Sequence, residues 1–555
     1  MSASESIPGG SEPGPASGHT DRSAATSSSG LARSAGVVGA ATMTSRVLGL
    51  VREQVLAYWF GASDSMDAFL VAFRVPNLVR DLFAEGAMSA ALVPTFSRTL
   101  ATDGRARAWR LGNSVMNALV AVTGVLVLAA IVFAPQLVRW LAGDFAAVPG
   151  KFELTVLLTR IMAPFLVLVA VAAACMGMLN SLNVFFIPAL SPAMFNVASI
   201  AVGIGLVPVA IGAGIEPILA MAAGTIVGGL GQVLLQWPAL RAQGYRYAPR
   251  LDLSDPGMRQ VLTLMGPGVI GLAATQLNVF VNTVVATGEG TGAVSWLTYA
   301  FRLMYLPIGM FGVSIATATT PALSRLVASG NTPAMRSTLA SAIALMLTLN
   351  VPATFGLVVL ATPIVRLLLE RGNFTPADTL ATASAVQFYA IGLVGYSVVK
   401  ILSPAFYALG RSRTPAAVGV ASVLLNAALS FTTAPHFGFR GIALSASVAA
   451  LFNAGMLAFL LRRSLGGLEL ARVVATLGKV LVAGTAMAAT AWWGEQWLVA
   501  LAPGPSLIAQ AVRLGGAIAA AVAVLGLCAQ FLAIREFEDV RDAVLKRLRR
   551  MRGRT

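Results

Sequence analysis

The chain is expected to be an all-α polytopic membrane protein with about fourteen transmembrane helices, and three observations lead there. Of its 555 residues 57% are hydrophobic and only 11% charged, and the mean hydropathy is +0.79, values foreign to a soluble globular protein. Apolar stretches of the length that crosses a bilayer, about 20 residues, recur along almost the whole chain. They are continuous rather than alternating, which excludes barrel strands, and in hydrocarbon a helix satisfies its own backbone.

Residues 1–32 are rich in Ser, Gly, Ala and Pro and have no basic start or apolar centre, so they read as a disordered leader rather than a secretory signal. The spanning segments follow, at about 33–62, 65–98, 110–142, 154–182, 184–212, 215–241 and 257–287. The remaining seven lie at about 293–326, 335–370, 377–409, 414–434, 439–461, 473–502 and 505–534. Each combines sufficient apolar length with a polar, Gly- or Pro-bearing break.

Alternate connections carry the basic residues: Arg98, Arg105, Arg107 and Arg110, then Arg241, Arg246, Arg250 and Arg259, then Arg325 and Arg336, Arg411 and Arg413, and Arg462, Arg463, Arg472 and Lys479. The other connections carry Asp64, Asp144, Glu216, Glu289, Asp378 and Glu495. The positive-inside rule makes the basic set cytoplasmic, with both termini inside and an even helix count. The stretch from Arg535 onward reads as a short basic helix and tail able to lie on an anionic leaflet. Cys175 and Cys528 lie far apart in apolar segments, and there are two histidines. No metal site, cofactor or catalytic residue is expected, and no Walker motif is present. The formal charge of +16 follows the loop topology and implies no nucleic-acid partner.

An internal duplication is written into the second and eighth segments. Ala72-Phe73-Arg74 is followed by Pro94-x-x-Ser97-Arg98, and Ala300-Phe301-Arg302 by Pro321-x-x-Ser324-Arg325. Two copies running in the same direction imply two pseudo-symmetric six-helix lobes, as in transporters, plus two extra C-terminal helices. The corresponding divisions are 1–32 leader, 33–245 first lobe, 246–466 second lobe, 467–535 extra helix pair and 536–555 basic tail. Arg74 and Arg302 are then equivalents facing a central cavity.

Charge inside the first two segments needs an explanation, because an ionised group at the bilayer centre costs at least about 2.5 to 3.5 kcal/mol. Arg46, Arg52 and Glu53 occupy the first, and Asp67, Arg74, Arg80, Asp81 and Glu85 the second. On an ideal helix Asp67, Arg74, Asp81 and Glu85 share one face and Arg80 points away from them. Mutually paired charges would be simple glue. Arg302, with no acid beside it in sequence, tips the balance to a cationic cavity. Arginine's planar fork suits phosphate, so an anionic, phosphorylated substrate is expected.

With TSRVLGLVRE from Thr44, DAFLVAFRVPNLVRDLFAEGAMSAALVP from Asp67, SLNVFFIPALSPAMFN from Ser181, YAFRLMYLP from Tyr299 and ALGRSRTP from Ala408, the chain resembles the MurJ/MviN family. These are bacterial flippases of lipid-linked peptidoglycan precursor, within the multidrug/oligosaccharidyl-lipid/polysaccharide exporter superfamily. The resemblance implies a V-shaped cavity between two lobes and an extra helix pair whose groove takes the lipid tail. Its functional positions fall on Ser45, Arg46 and Arg52, on Asp67, Arg80 and Glu85, and on Arg302, which are implied to hold the pyrophosphate and sugar head group. Arg74, Glu53 and Asp81 are secondary candidates. The chain departs from the family pattern at Phe301 and Tyr305, where acids commonly flank the arginine, and at Asp81, where a second base often follows Arg80. How Arg302 is neutralised is thus left open.

The implied activity is alternating-access movement of undecaprenyl-pyrophosphate-linked disaccharide-pentapeptide (lipid II) to the outer leaflet of the inner membrane, without enzymatic chemistry. Membrane lipids, and as a further candidate the cell-wall synthesis machinery, are the implied partners. The alternative is an exporter of another lipid-linked oligosaccharide or of drugs. An intramembrane glycosyltransferase would need a carboxylate site near an extracytoplasmic loop, and those loops are short and sparse.

Overall fold

The computed structural model describes residues 20–80, 88–501, 503–538 and 541; Asp81, Glu85 and most of the expected basic tail lie outside them. The first half of the chain forms α1 (Thr20–Phe60), α2 (Asp64–Arg80), α3 (Met88–Thr102), α4 (Gly104–Val132), α5 (Ala134–Ala142), α6 (Lys151–Met162), α7 (Phe165–Ser181), α8 (Phe186–Gly212) and α9 (Ile218–Ala242). The second half forms α10 (Pro256–Thr287), α11 (Ala293–Pro307), a π-helical turn at Ile308–Gly312, α12 (Val313–Ala328), α13 (Thr332–Val359) and α14 (Ala361–Leu369). It continues with α15 (Pro376–Ile391), α16 (Leu393–Ala408), α17 (Arg413–Phe437) and α18 (Phe439–Leu465), and α19 (Leu470–Leu501) and α20 (Leu507–Phe531) end the bundle.

Each expected segment coincides with one helix or with consecutive helices; residues 81–87, inside the second segment, lie outside the described residues. Among the described residues, ten spans are long and apolar enough to cross a membrane, or eleven if the pair α15 and α16, bent by 42°, is one span. That is fewer than the fourteen expected. Of the helices outside that set, α1 carries Arg46, Arg52 and Glu53, and α2, only 17 residues long, carries Asp64, Asp67, Arg74 and Arg80. These charges lower the apolarity of both helices. Helix α1 starts at Thr20, inside the stretch expected as disordered leader; Ala24, Ala25, Leu31 and Ala32 are helix formers contiguous with the first span.

Helix starts follow local chemistry. Asp255 caps α10 by accepting from the Gly257 and Met258 amides at 2.8 and 3.2 Å, with Pro256 at the first helical position. Thr375 and Asp378 close a capping box at α15. Both devices satisfy amides that a helix end leaves unpaired.

The duplication is legible in the packing. Helix α1 packs on α8 as α10 packs on α17; α2 on α6 as α11 on α15; α3 on α7 as α12 on α16; and α8 on α9 as α17 on α18. Even the helix breaks repeat. Helix α4 gives way to α5 at Phe133 (φ −93°, ψ 16°) and α13 to α14 at Leu360 (φ −97°, ψ 14°), each followed by a related run, APQLVR and ATPIVR. Since lipid offers no hydrophobic drive between helices, close contact depends on small residues. At Gly395 on α16 a Cβ would sit 2.6 Å from the Ala450 backbone of α18.

The halves share one core at the end carrying the acidic loops, where Phe60, Met66, Phe69 and Phe145 pack with Tyr299, Leu303, Phe374 and Tyr389. Toward the basic loops the cores divide. Leu92, Phe96, Leu111 and Met178 form one, with Met258 and Val261 of α10; Leu339, Met346, Leu402 and Phe406 form the other, with Val480 of α19 and Ala529 of α20. The halves are thus joined at the acid-rich end and separate toward the basic end, with α10 bridging to α3. The connection into α10 is strapped along α4: the Tyr245 and Tyr247 hydroxyls donate to Asn113 and Asn117, both at 2.7 Å.

Candidate functional site

The site is built on the middle of α1. Glu53 is only 5% exposed and its Oε1 accepts from Arg52 Nη2 at 2.7 Å and Nε at 3.2 Å. The same oxygen meets Nη1 of Arg302 on α11. One carboxylate from the first half therefore bridges two guanidinium groups, one from each half, while its Oε2 is buried without a hydrogen-bond partner. This answers how Arg302 is neutralised in a chain that has Phe301 and Tyr305 beside it. Those two rings meet at a tilt at 6.0 Å, and Phe301 packs edge-on to Tyr389 at 5.5 Å and Tyr396 at 6.1 Å, an aromatic wall beside the arginine. Arg302 thus reaches α1.

Arg52 lies over the Phe195 ring at 5.1 Å, a cation–π contact that orients it, and Arg80 and Arg302 both lie within Coulombic range of it. Two arginines thus meet the Glu53 carboxylate, and a third cation, Arg80, stands within Coulombic range of Arg52. Like charges in a low-dielectric interior repel strongly, and a further anion would relieve that repulsion.

Arg46 reaches the second half as well. Its guanidinium lies against Gly309, in the π-helical turn, where a Cβ would collide with it. Helices with π-turns often carry functional sites there. Ser45 contributes its backbone: its carbonyl accepts from Asn196 Nδ2 of α8 at 3.0 Å, fixing α1 beside the cluster.

Asp67, expected to share a face with Arg74, sits elsewhere. It is 0% exposed and saturated, with Oδ1 accepting from the amide and hydroxyl of Ser295 at 3.0 and 2.7 Å and Oδ2 from the Gly292 amide at 2.7 Å and Lys151 Nζ at 3.0 Å. It caps the N-terminus of α11 from across the halves, where unpaired amides favour a negative charge. Its removal from the arginine group follows from its place in the first turn of α2, at the joined end, whereas Arg80 ends that helix. Lys151, which sequence reasoning missed, also pairs with Asp64 at 2.7 Å and lies over Phe145 at 4.1 Å. Its one signal was its position: a lone lysine opening a span at the acid-rich end. Arg74 and Arg80 are both half-buried; Asp81 and Glu85 lie outside the described residues. Among the described residues, no cluster of His, Cys, Asp and Glu could hold a metal ion.

The sequence profile of the lipid II flippase MurJ matches residues 56–508. A probable lipid II flippase MurJ of Rhizobium meliloti (strain 1021) is 35% identical over 502 residues, covering 89% of this chain and 92% of its own length. One of Vibrio cholerae is 36% identical over 439 residues, covering 77% of this chain and 82% of its own. Among solved structures, a lipid II flippase MurJ in an inward closed conformation superposes with a TM-score of 0.72 at 24% identity, over 89% of this chain and 99% of that one. An inward-facing multidrug resistance MATE family transporter of the MOP superfamily superposes with a TM-score of 0.65 at 15% identity, over 78% of this chain and 98% of that one.

Proposed function

Because the chain belongs to the MurJ family of lipid II flippases, we propose that it carries lipid II from the cytoplasmic to the outer leaflet of the inner membrane, for peptidoglycan synthesis, by alternating access. The observation that supports this most is the Arg52–Glu53–Arg302 cluster, where a group from each half meets one carboxylate. A pyrophosphate entering there competes with Glu53 for both arginines. It draws the halves together through bidentate, charge-assisted bonds that a neutral ligand cannot make. Arg46 and Arg80 extend the cationic surface, and Ser45 stands at its edge. Asp81 and Glu85 complete the site in this reading.

The basic loops are cytoplasmic, which puts both termini inside. The cleft between the divided cores then faces the cytoplasm, where the substrate is made, and the Asp67 clamp holds the outer end shut. The lobes extend over 33–245 and 246–466, and the polyprenyl tail follows the pair α19 and α20. The protein acts as a transporter rather than an enzyme. The membrane potential favours outward movement of negative charge, by about 2.3 kcal/mol per charge per 100 mV. The cell-wall synthesis machinery is a further partner.

The test is precursor exposure on the outer leaflet in cells depleted of their own flippase and supplied with this chain or its Arg46→Ala, Arg52→Ala or Arg302→Ala form. Exposure restored by the parent and lost in correctly inserted variants is expected. A parent that inserts and restores nothing removes the substrate assignment and favours an exporter of another lipid-linked oligosaccharide or of drugs.

A further inference from the structure

The repeat exposes a difference between the halves on their outer surface. In the second half, the break between α13 and α14 is covered: Leu360 packs with Met487 and Ala491 of α19 and Leu514 of α20, and Phe355, Val359, Ile364 and Leu367 join them. In the first half the equivalent positions, counted from the matching breaks, are Phe133, Leu128, Val132, Leu137 and Trp140. Among the described residues no helix covers Leu128, Val132 or Phe133, which are 64%, 64% and 57% exposed; Leu137 is half-buried, and Trp140, 70% exposed, meets Phe280 of α10 on one side at 5.1 Å. Beneath them lies an apolar hollow of about 270 Å³ between α2, α4, α5 and the α6–α7 break, lined by Val75, Pro76, Phe133, Leu137, Ala163 and Leu166.

A second difference is chemical. At each break a backbone carbonyl is freed and needs a donor. In the second half Gln387 Nε2 donates to the Val358 carbonyl at 3.0 Å; at the equivalent place in the first half Arg160 Nε donates to the Ile131 carbonyl at 3.2 Å. An uncharged amide is therefore sufficient for the backbone. The first half carries a cation there instead, on an exposed position flanked by Thr159 and Ala163 of the hollow. Among the described residues Arg160 makes no ion pair, and one of its five N–H groups serves Ile131. It lies about 13 Å along the axis from Lys151 at the acid-rich end of α6. An arginine facing hydrocarbon at that depth is costly unless it reaches a phosphate. Exposed Trp140 marks the interfacial level nearby.

The geometry points to a lipid site: one anionic phospholipid of the leaflet at the acid-rich end, with its phosphate on Arg160 and an acyl chain in the hollow at Phe133, occupying the place that α19 and α20 fill in the second half. The Arg160 guanidinium, which makes no ion pair among the described residues, selects a lipid with net negative charge.

The test uses the full chain in phosphatidylcholine nanodiscs containing a trace of phosphatidylglycerol with a photoactivatable acyl chain, and a phosphatidylcholine probe with the same chain as control. Labelled peptides are mapped by mass spectrometry. Label should fall on 126–137 and 159–166, with the anionic probe favoured about tenfold, the scale of one charge-assisted contact. Arg160→Gln keeps the carbonyl bond, as Gln387 does, and should bring the anionic probe down to the control; Arg160→Lys should keep most of the preference. Equal labelling by the two probes, an unchanged preference in Arg160→Gln, or no label at the hollow overturns the proposal. The readout involves no lipid II, so it stands or fails independently of the flippase reading.

Discussion

Asp67→Asn is the most informative single change at the joined end. The amide keeps an oxygen for the Ser295 amide and hydroxyl, but it turns an NH₂ toward the Gly292 amide and Lys151 Nζ, two donors that Oδ2 now accepts. Breaking a buried pair costs about 3 to 5 kcal/mol. The low end applies, because Lys151 retains Asp64 at 2.7 Å. About 3 kcal/mol is roughly a hundredfold in the ratio of closed to open acid-rich ends. Spin labels at Ile215 and Leu380, both exposed and on opposite halves, read that opening by electron resonance distance measurement in nanodiscs. A long-distance population should grow in Asp67→Asn without substrate. If the distances stay those of the parent while the protein melts at a lower temperature, Asp67 is a folding element and the clamp idea is wrong.

Glu53→Gln should strengthen binding of a pyrophosphate-bearing lipid by about tenfold, since the carboxylate no longer competes for Arg52 and Arg302; equal affinity in a titration of purified protein would count against competition. Gly309→Ala should displace the Arg46 guanidinium and reduce outer-leaflet exposure to the level of Arg46→Ala, while thermal unfolding moves by less than about 1 kcal/mol. Arg302→Lys should leave transport close to that of Arg302→Ala, because an ammonium cannot reproduce the planar fork. Transport equal to the parent would mean that charge alone is enough.

Asn113→Ala removes the one oxygen, Oδ1, that accepts from both the Tyr245 hydroxyl and the Ala248 amide. It should loosen the strap ahead of α10, seen as faster amide exchange over 245–250 and a loss of about 1 to 3 kcal/mol for the donors left unsatisfied.

Arg46, Arg52 and Arg302 stand out in the chain because charge within an apolar segment is expensive enough to be rare, which makes each a candidate. The duplication was readable for a similar reason, since Ala-Phe-Arg and Pro-x-x-Ser-Arg recur in matching helices. Segment length and loop charge likewise carry the membrane class, because bilayer thickness and backbone satisfaction act on any chain locally.

Partnership was not readable. Glu53 looks from sequence like a neighbour for Arg52 alone, and only the approach of α1 to α11 makes it the counter-ion of Arg302 as well. Asp67 seemed to belong with Arg74 on an ideal helix face, yet α2 meets the start of α11 at its own first turn, so depth along the helix outweighed angle around it. Lys151 is buried only because Asp64, Asp67 and Phe145 close over it. The match of Arg160 to Gln387 exists only once the two helix breaks are superposed. Composition and periodicity act along the chain and determined which segments span and which residues are out of place in them; ion pairs join positions far apart in sequence, so their pairing was decided by how the helices cross.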